Sequence, residues 1–157
     1  MDSRLDKIYK QHGKYVYNVA LGMLKNRDDA QDVTQNVFIK LFNSLDSFRG
    51  DSDIKTYLYR MAINSSIDYI RRQSTHRDKL EKMEPETSVS MVDSLSFYSL
   101  IDKLDDDHKA VLLLSEIGGF KYDEIADILQ TKTGTVKSRA SRAIVKLREI
   151  LSKEAIK

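Results

Sequence analysis

The sequence predicts an all-α protein of two small helical domains joined by a flexible linker, and three observations carry that prediction. Six glycines and one proline in 157 residues leave few places where a helix must stop. Apolar residues recur at three- and four-residue intervals along most of the chain, and strand-like alternation bounded by turn residues is absent. The periodicity dissolves in "STHRDKLEKMEPETSVSMVDS", a Ser/Thr/Glu-rich stretch that holds the single proline, Pro85. The expected segmentation is a first domain over 1–74, a linker over 75–95 and a second domain over 96–157.

Each element follows from local pattern. "LDKIYKQHGKYVYNVALGMLK" sets Leu5, Ile8, Tyr9, Tyr15, Val16, Val19, Ala20 and Met23 at helical spacing. "NRDDA" interrupts it, with Asn26 or Asp28 able to cap the next helix. "DAQDVTQNVFIKLFNSL" turns Ala30, Val33, Val37, Phe38, Leu41 and Phe42 inward and Asp29, Asp32, Gln35, Asn36 and Lys40 outward. "DSFRGDSD" reads as a turn around Gly50. "IKTYLYRMAINSSIDYIRRQ" then places Ile54, Leu58, Met61, Ala62, Ile67 and Ile70 inward and ends in Arg71 and Arg72.

Beyond the linker come "FYSLIDKL", "DDDHKAVLLLSEIGG" and "KYDEIADILQ", the acids Asp105–Asp107 placed to cap a helix beginning near His108. The last element, "TGTVKSRASRAIVKLREIL", gathers Val136, Ala140, Ala143, Ile144, Leu147, Ile150 and Leu151 on one face. Lys137, Ser138, Ser141, Arg142 and Arg148 project from the other.

Composition excludes several classes. There is no cysteine, and His12, His76 and His108 are scattered without a second ligand at metal spacing. No Gly-rich phosphate loop or nucleophile motif appears, so no catalytic residue, metal or cofactor is expected. No apolar run reaches membrane-spanning length, and "MDSRLDKIYKQ" is charged where a signal peptide is apolar, which reads as cytoplasmic. The net charge is only +2, but it is unevenly spread. Acids dominate from Asp102 to Asp127; bases dominate from Lys132 to Lys153, where Glu149 is the only acid. Such asymmetry points to a polyanion-facing end.

A short amphipathic helix ("YDEIADIL"), a tight connection ("QTKTG") and a longer helix with cations near its start form a helix-turn-helix layout. Ala126 is small where the two helices approach. The Thr133–Gly134–Thr135 entry can cap the second helix and offer amide N–H groups to a phosphate. Lys137, Ser138, Ser141 and Arg142 then lie on successive exposed turns, in reach of base edges and backbone.

"YDEIADIL" followed by "GTVKSRASRAIVKLREIL" closely resembles region 4 of bacterial extracytoplasmic-function sigma factors, within the sigma-70 family. "DAQDVTQNVFIKLFNSLDSFRGDSDIKTYLYRMAINSSIDYIRR" independently resembles their region 2. The resemblance implies a non-catalytic subunit that directs core RNA polymerase to promoters. Region 2 would bind the clamp helices of the largest subunit and open the −10 element; region 4 would bind the −35 element and the flap. An anti-sigma factor is a further implied partner.

Carried over by position, Asp29, Asp32, Gln35, Asn36 and Lys40 would meet the clamp, Asn36 standing where many relatives carry an acid. Ser44, Phe48, Arg49, Gly50, Asp51, Tyr57, Arg60, Met61, Asn64, Arg71 and Arg72 match the −10-reading segment. The Asn64 amide would meet a base flipped from the stack. Tyr57, where relatives often have tryptophan, has base stacking and packing both open to it. Thr133, Thr135, Lys137, Ser138, Ser141, Arg142 and Lys146 would serve the −35 element. Gln130 replaces a usual glycine in the turn, which predicts a backbone there outside the left-handed region.

Two other classes compete. A stand-alone helix-turn-helix regulator would use only the C-terminal module. An all-helical enzyme would need inward-facing acids on facing helices, and the sequence offers no such set.

Overall fold

The computed structural model describes residues 3–48, 50–77 and 92–155. Every regular element among them is helical, and the chain divides into two compact units, 1–88 and 89–157. The expected linker core, 78–91, lies outside the described residues.

In the first unit, α1 (Ser3–Leu24), α2 (Arg27–Ser44) and α3 (Asp51–Arg77) all pack on one another. The α1–α2 corner is tight. Lys25 takes a left-handed φ of 59°, and Asn26 caps α2 by accepting the Asp29 amide through Oδ1 at 3.0 Å. The core is Val16, Val19, Ala20 and Met23 of α1, Val33, Val37 and Leu41 of α2, and Ile54, Leu58, Tyr59, Ala62 and Ile63 of α3.

Some inward assignments need correction. Phe42 of α2 is exposed, as are Tyr9 and Tyr15, which share the helical spacing of α1 but stand at the edge of its apolar stripe. On α3, Met61, Ile67 and Ile70 are only half-buried, while Tyr59, Ile63 and Ser66 are buried. The inward stripe is therefore shifted by a fraction of a turn. Ser66 is accommodated because its hydroxyl donates to the Ala62 carbonyl at 2.8 Å.

A short 3₁₀ turn, Leu45–Ser47, follows α2, and Arg4 Nη1 donates to the Leu45 carbonyl at 3.3 Å. Gly50 has φ of 96°, a value that favours glycine, and α3 begins immediately after it. Asp51 and Ser52 thus belong to the helix rather than to the turn. At its far end α3 continues to Arg77, past the expected boundary at 74.

The second unit contains α4 (Val92–Ile101), α5 (Asp106–Glu116), α6 (Tyr122–Leu129) and α7 (Thr133–Ala155). Asp105 occupies the cap position of α5, but its side chain makes no capping hydrogen bond. Asp106 and Asp107 lie in the first turn, where the helix dipole favours them. Lys109, buried among α5 apolar residues, pairs with Asp102 at 3.4 Å, and burial still lowers its pKa despite the opposing pull of Asp106.

Gly119 (φ 69°) reverses the chain between α5 and α6. The Lys121 amide then donates to Glu124 Oε1 at 3.0 Å, tying down the start of α6.

The α6–α7 connection overturns one expectation. Gln130 does adopt the left-handed region, at φ 55° and ψ 49°. The turn demands it: the Thr131 amide reaches back to the Ala126 carbonyl at 2.9 Å, closing the reversal that frees the chain to start α7. A residue other than glycine bears a conformational cost of about 1–2 kcal/mol there.

Candidate polymerase and nucleic-acid interfaces

Both units present an outward helix face whose back is fixed by packing. On α7, Val136, Ala140 and Ala143 are 0–2% exposed and seat the helix against α5 and α6. Small side chains on α7, and Ala126 on α6, permit that close approach.

The opposite face of α7 carries Lys137, Ser138, Ser141, Arg142 and Lys146, all exposed. Ser141, Arg142 and Lys146 join Val145 and Glu149 around a shallow concavity. Arg139 does not belong to this front; it reaches Asp107 of α5 at 3.9 Å.

The helix start differs from expectation. α7 begins at Thr133, so Thr133, Gly134 and Thr135 form its first turn and Lys132 precedes it, its carbonyl accepting the Val136 amide at 3.2 Å. The threonines are half-buried beside the exposed Gly134, and their role as cap is lost. Further along, Ile144 and Leu151, expected inward, are 40% and 49% exposed, and Val145 is 53% exposed. α7 outruns the elements it packs on.

On α3, Tyr57, Arg60, Asn64 and Arg71 recur at three- and four-residue intervals and share the outward face, with Asp68 among them. Asn64, Asp68, Arg71 and Arg72 are exposed; Tyr57, Arg60 and Met61 are half-buried. The Tyr57 ring packs on Phe48 with centroids 4.8 Å apart, so of its two open roles packing is the one formed within the unit. The Ser44 hydroxyl donates to the Lys40 and Leu41 carbonyls at 2.9 and 3.3 Å, engaging it within α2. Arg49 lies outside the described residues, as does the side chain of Asp51.

On α2, Asp32, Gln35, Asn36 and Lys40 are exposed together. Asp29 is different. It is half-buried, and its Oδ1 accepts a hydrogen bond from the Tyr69 hydroxyl of α3 at 2.5 Å. Burial, followed by that bond, pushes Tyr69 up to about 12.

Ile39, 58% exposed, stands in the middle of the α2 polar face, and Phe42, 49% exposed, stands at its margin. Sequence reasoning passed over Ile39, although its spacing of three from Asn36 and four from Gln35 already places it there.

Comparison with known proteins matches these two units separately. The Sigma-70 region 2 family model covers residues 8–76, and the Sigma-70 region 4 model covers 94–147. RNA polymerase sigma factor YlaC of Bacillus subtilis is 32% identical over 95% of this chain and 92% of its own length. The chain belongs to the extracytoplasmic-function sigma factors.

As an alternative sigma factor it acts in promoter-specific transcription initiation, with core RNA polymerase and promoter DNA as partners. The extracytoplasmic-function sigma-E factor of Haemophilus influenzae is 30% identical over 90% of each chain. SigE of Mycolicibacterium smegmatis is also 30% identical, over 96% of this sigma factor but only 62% of the relative's length. In fold, the sigma factor RpoE of Bartonella quintana, solved with the anti-sigma factor NepR, superposes with a TM-score of 0.80 at 23% identity, covering 96% of this chain and 98% of that one. No helix among the described residues is long and apolar enough to cross a membrane.

Proposed function

We propose that the sigma factor reads its two promoter elements with two separately folded surfaces and docks on polymerase with a third. The observation that carries this reading is the cationic front of α7, set on a helix anchored from behind by the buried Val136, Ala140 and Ala143. Lys137, Ser138, Ser141, Arg142 and Lys146 serve the −35 duplex, with the half-buried Thr133 and Thr135 flanking the exposed Gly134 beside a phosphate. The α3 face serves the −10 element: Asn64 meets an extruded base, Arg60, Arg71 and Arg72 the melted strand's phosphates, and Phe48, Arg49, Gly50, Asp51 and Met61 border the base pocket. Ser44, its hydroxyl engaged within α2, and Tyr57, its ring packed on Phe48, complete that −10-reading surface. Asp32, Gln35, Asn36 and Lys40 face the polymerase clamp, with Asp29 at the edge of that surface.

The subunit itself catalyses nothing and works in the cytoplasm beside the polymerase. An anti-sigma factor is a further partner: RpoE of Bartonella quintana and CnrH, both similar in fold, were solved with NepR and with the cytosolic domain of CnrY.

Alone, the chain binds duplex promoter DNA weakly, because each small basic surface makes few phosphate contacts. With core polymerase it gives promoter-specific initiation. Transcription assays with and without the chain, paired with binding assays on the chain alone, test this. Tight, sequence-specific binding by the isolated chain at physiological salt favours the stand-alone regulator.

A further inference from the structure

Asp29 of α2 and Tyr69 of α3 tie the two helices together in the first unit. The Asp29 amide is held by the Asn26 cap at 3.0 Å, and its Oδ1 by the Tyr69 hydroxyl at 2.5 Å. Tyr69 is held in turn: Gln73, one turn further along α3, donates Nε2–H to its oxygen at 3.1 Å. That donation occupies a lone pair and leaves the phenolic proton directed at the carboxylate. Asn26, Asp29, Tyr69 and Gln73 therefore form a continuous chain from the first turn of α2 to the end of α3. It bridges a polymerase-facing helix and a DNA-facing one.

At Asp29 the carboxylate points across to α3, whereas Asp32, Gln35 and Asn36 are exposed. A residue whose acceptor is engaged inside the unit is poorly placed to be a primary contact. It is well placed to set the pitch of α2.

We propose that Tyr69 and Asp29 are positioning residues for polymerase binding, Asp29 acting through its hydrogen bond to Tyr69 rather than by touching the polymerase. This rests on reading the α2 face as the polymerase-binding surface. The hydrogen bond, not the charge, is what matters, since an amide oxygen at position 29 still accepts from the hydroxyl.

The test measures the affinity of full-length chains for core polymerase, well below their unfolding midpoints, where a purely structural loss leaves affinity unchanged. Tyr69→Phe and Asp29→Ala each weaken binding by up to about tenfold, the upper end of what one ordinary hydrogen bond contributes. The double variant is no weaker than either single one. Asp29→Asn stays near the parent.

An Asp29→Asn chain as weak as Asp29→Ala shows a direct charged contact and overturns the proposal, as does Tyr69→Phe binding like the parent. The Asn/Ala comparison decides alone if Tyr69→Phe fails to fold. Failure of the parent chain to bind polymerase instead removes the underlying reading of the α2 face.

Discussion

The two outward-facing helices, α2 and α7, solve opposite problems with the same periodicity. α2 is backed by large side chains, Val33, Val37, Phe38 and Leu41; α7 is backed by Val136, Ala140 and Ala143. Their fronts differ more. α2 mixes an acid, two amides and a lysine around the exposed Ile39, whereas α7 alternates cations with hydroxyls. A face with balanced charge and an apolar centre suits another protein; one dominated by cations suits a phosphate backbone. Helical spacing identifies both helices, but only the chemistry of the exposed residues separates their partners.

The contrast in backing makes the largest prediction. Leu41→Ala removes a fully buried side chain and costs the first unit about 2–5 kcal/mol. Ala143→Gly, at an equally buried site of α7, costs about 1 kcal/mol, mainly through helix propensity. Native-state hydrogen exchange on the full chain, resolved by segment, separates the two. Equal losses break the contrast.

The fronts give the next. Arg142→Ala weakens −35 engagement by about 1–3 kcal/mol if its guanidinium pairs with guanine, and leaves folding unchanged. Asn64→Ala spares −35 duplex binding and impairs use of the −10 element, because its partner is a base already out of the stack. Abortive initiation on paired templates, one duplex and one pre-melted across −10, reads both effects. If both substitutions weaken the same step equally on both templates, the division of labour is wrong.

Most of the fold was legible because helical periodicity is local. The edges of "YDEIADIL" coincide with α6, and Asn26 caps α2 as its side chain suggests. What was illegible depends on tertiary context. Phe42 and Ile144 look like core residues by spacing, yet neither meets a neighbouring helix that covers it. Gln130 looks unsuited to a left-handed turn, yet the backbone bonds of the reversal impose one. For the site, helical spacing already sets Asp32, Gln35, Asn36 and Lys40 of α2, Asn64 of α3 and Lys137, Ser141 and Arg142 of α7 on outward faces, and the structure exposes them. The Asp29–Tyr69 bond spans 40 residues, and no local pattern announces it.

Gln130 itself sharpens the comparison at smaller scale. α2 and α7 each follow a connection that carries a non-glycine left-handed residue, Lys25 and Gln130. Gln130→Gly relieves about 1–2 kcal/mol of backbone cost but adds unfolded-state entropy worth about 0.4–1 kcal/mol. The expected net gain is therefore between about 0 and 1.6 kcal/mol, read as an unchanged or raised denaturation midpoint for the second unit. A loss of stability shows that the glutamine side chain stabilises the folded turn.

The smallest expected effect lies between the other two helices of the first unit, where His12 of α1 meets Tyr59 of α3. His12 Nδ1 and the Tyr59 hydroxyl are 3.3 Å apart, and the rings pack edge to face at 5.8 Å. Burial, then the charge of Lys55, lowers the His12 pKa below its ordinary 6.5. The unfolded chain therefore takes up this proton first as pH falls. Between 6.5 and the lower folded value the unfolded state binds more protons, so stability declines on acidification and levels off once folded His12 is also charged. His12→Phe keeps an aromatic ring but cannot titrate, so its first unit lacks this slope. Hydrogen exchange of α1 and α3 amides, corrected for intrinsic rate at each pH from 8 to 5, measures the difference between the two chains. If the parent gains stability on acidification, or the variant keeps the parent's slope, the contribution assigned to His12 is wrong.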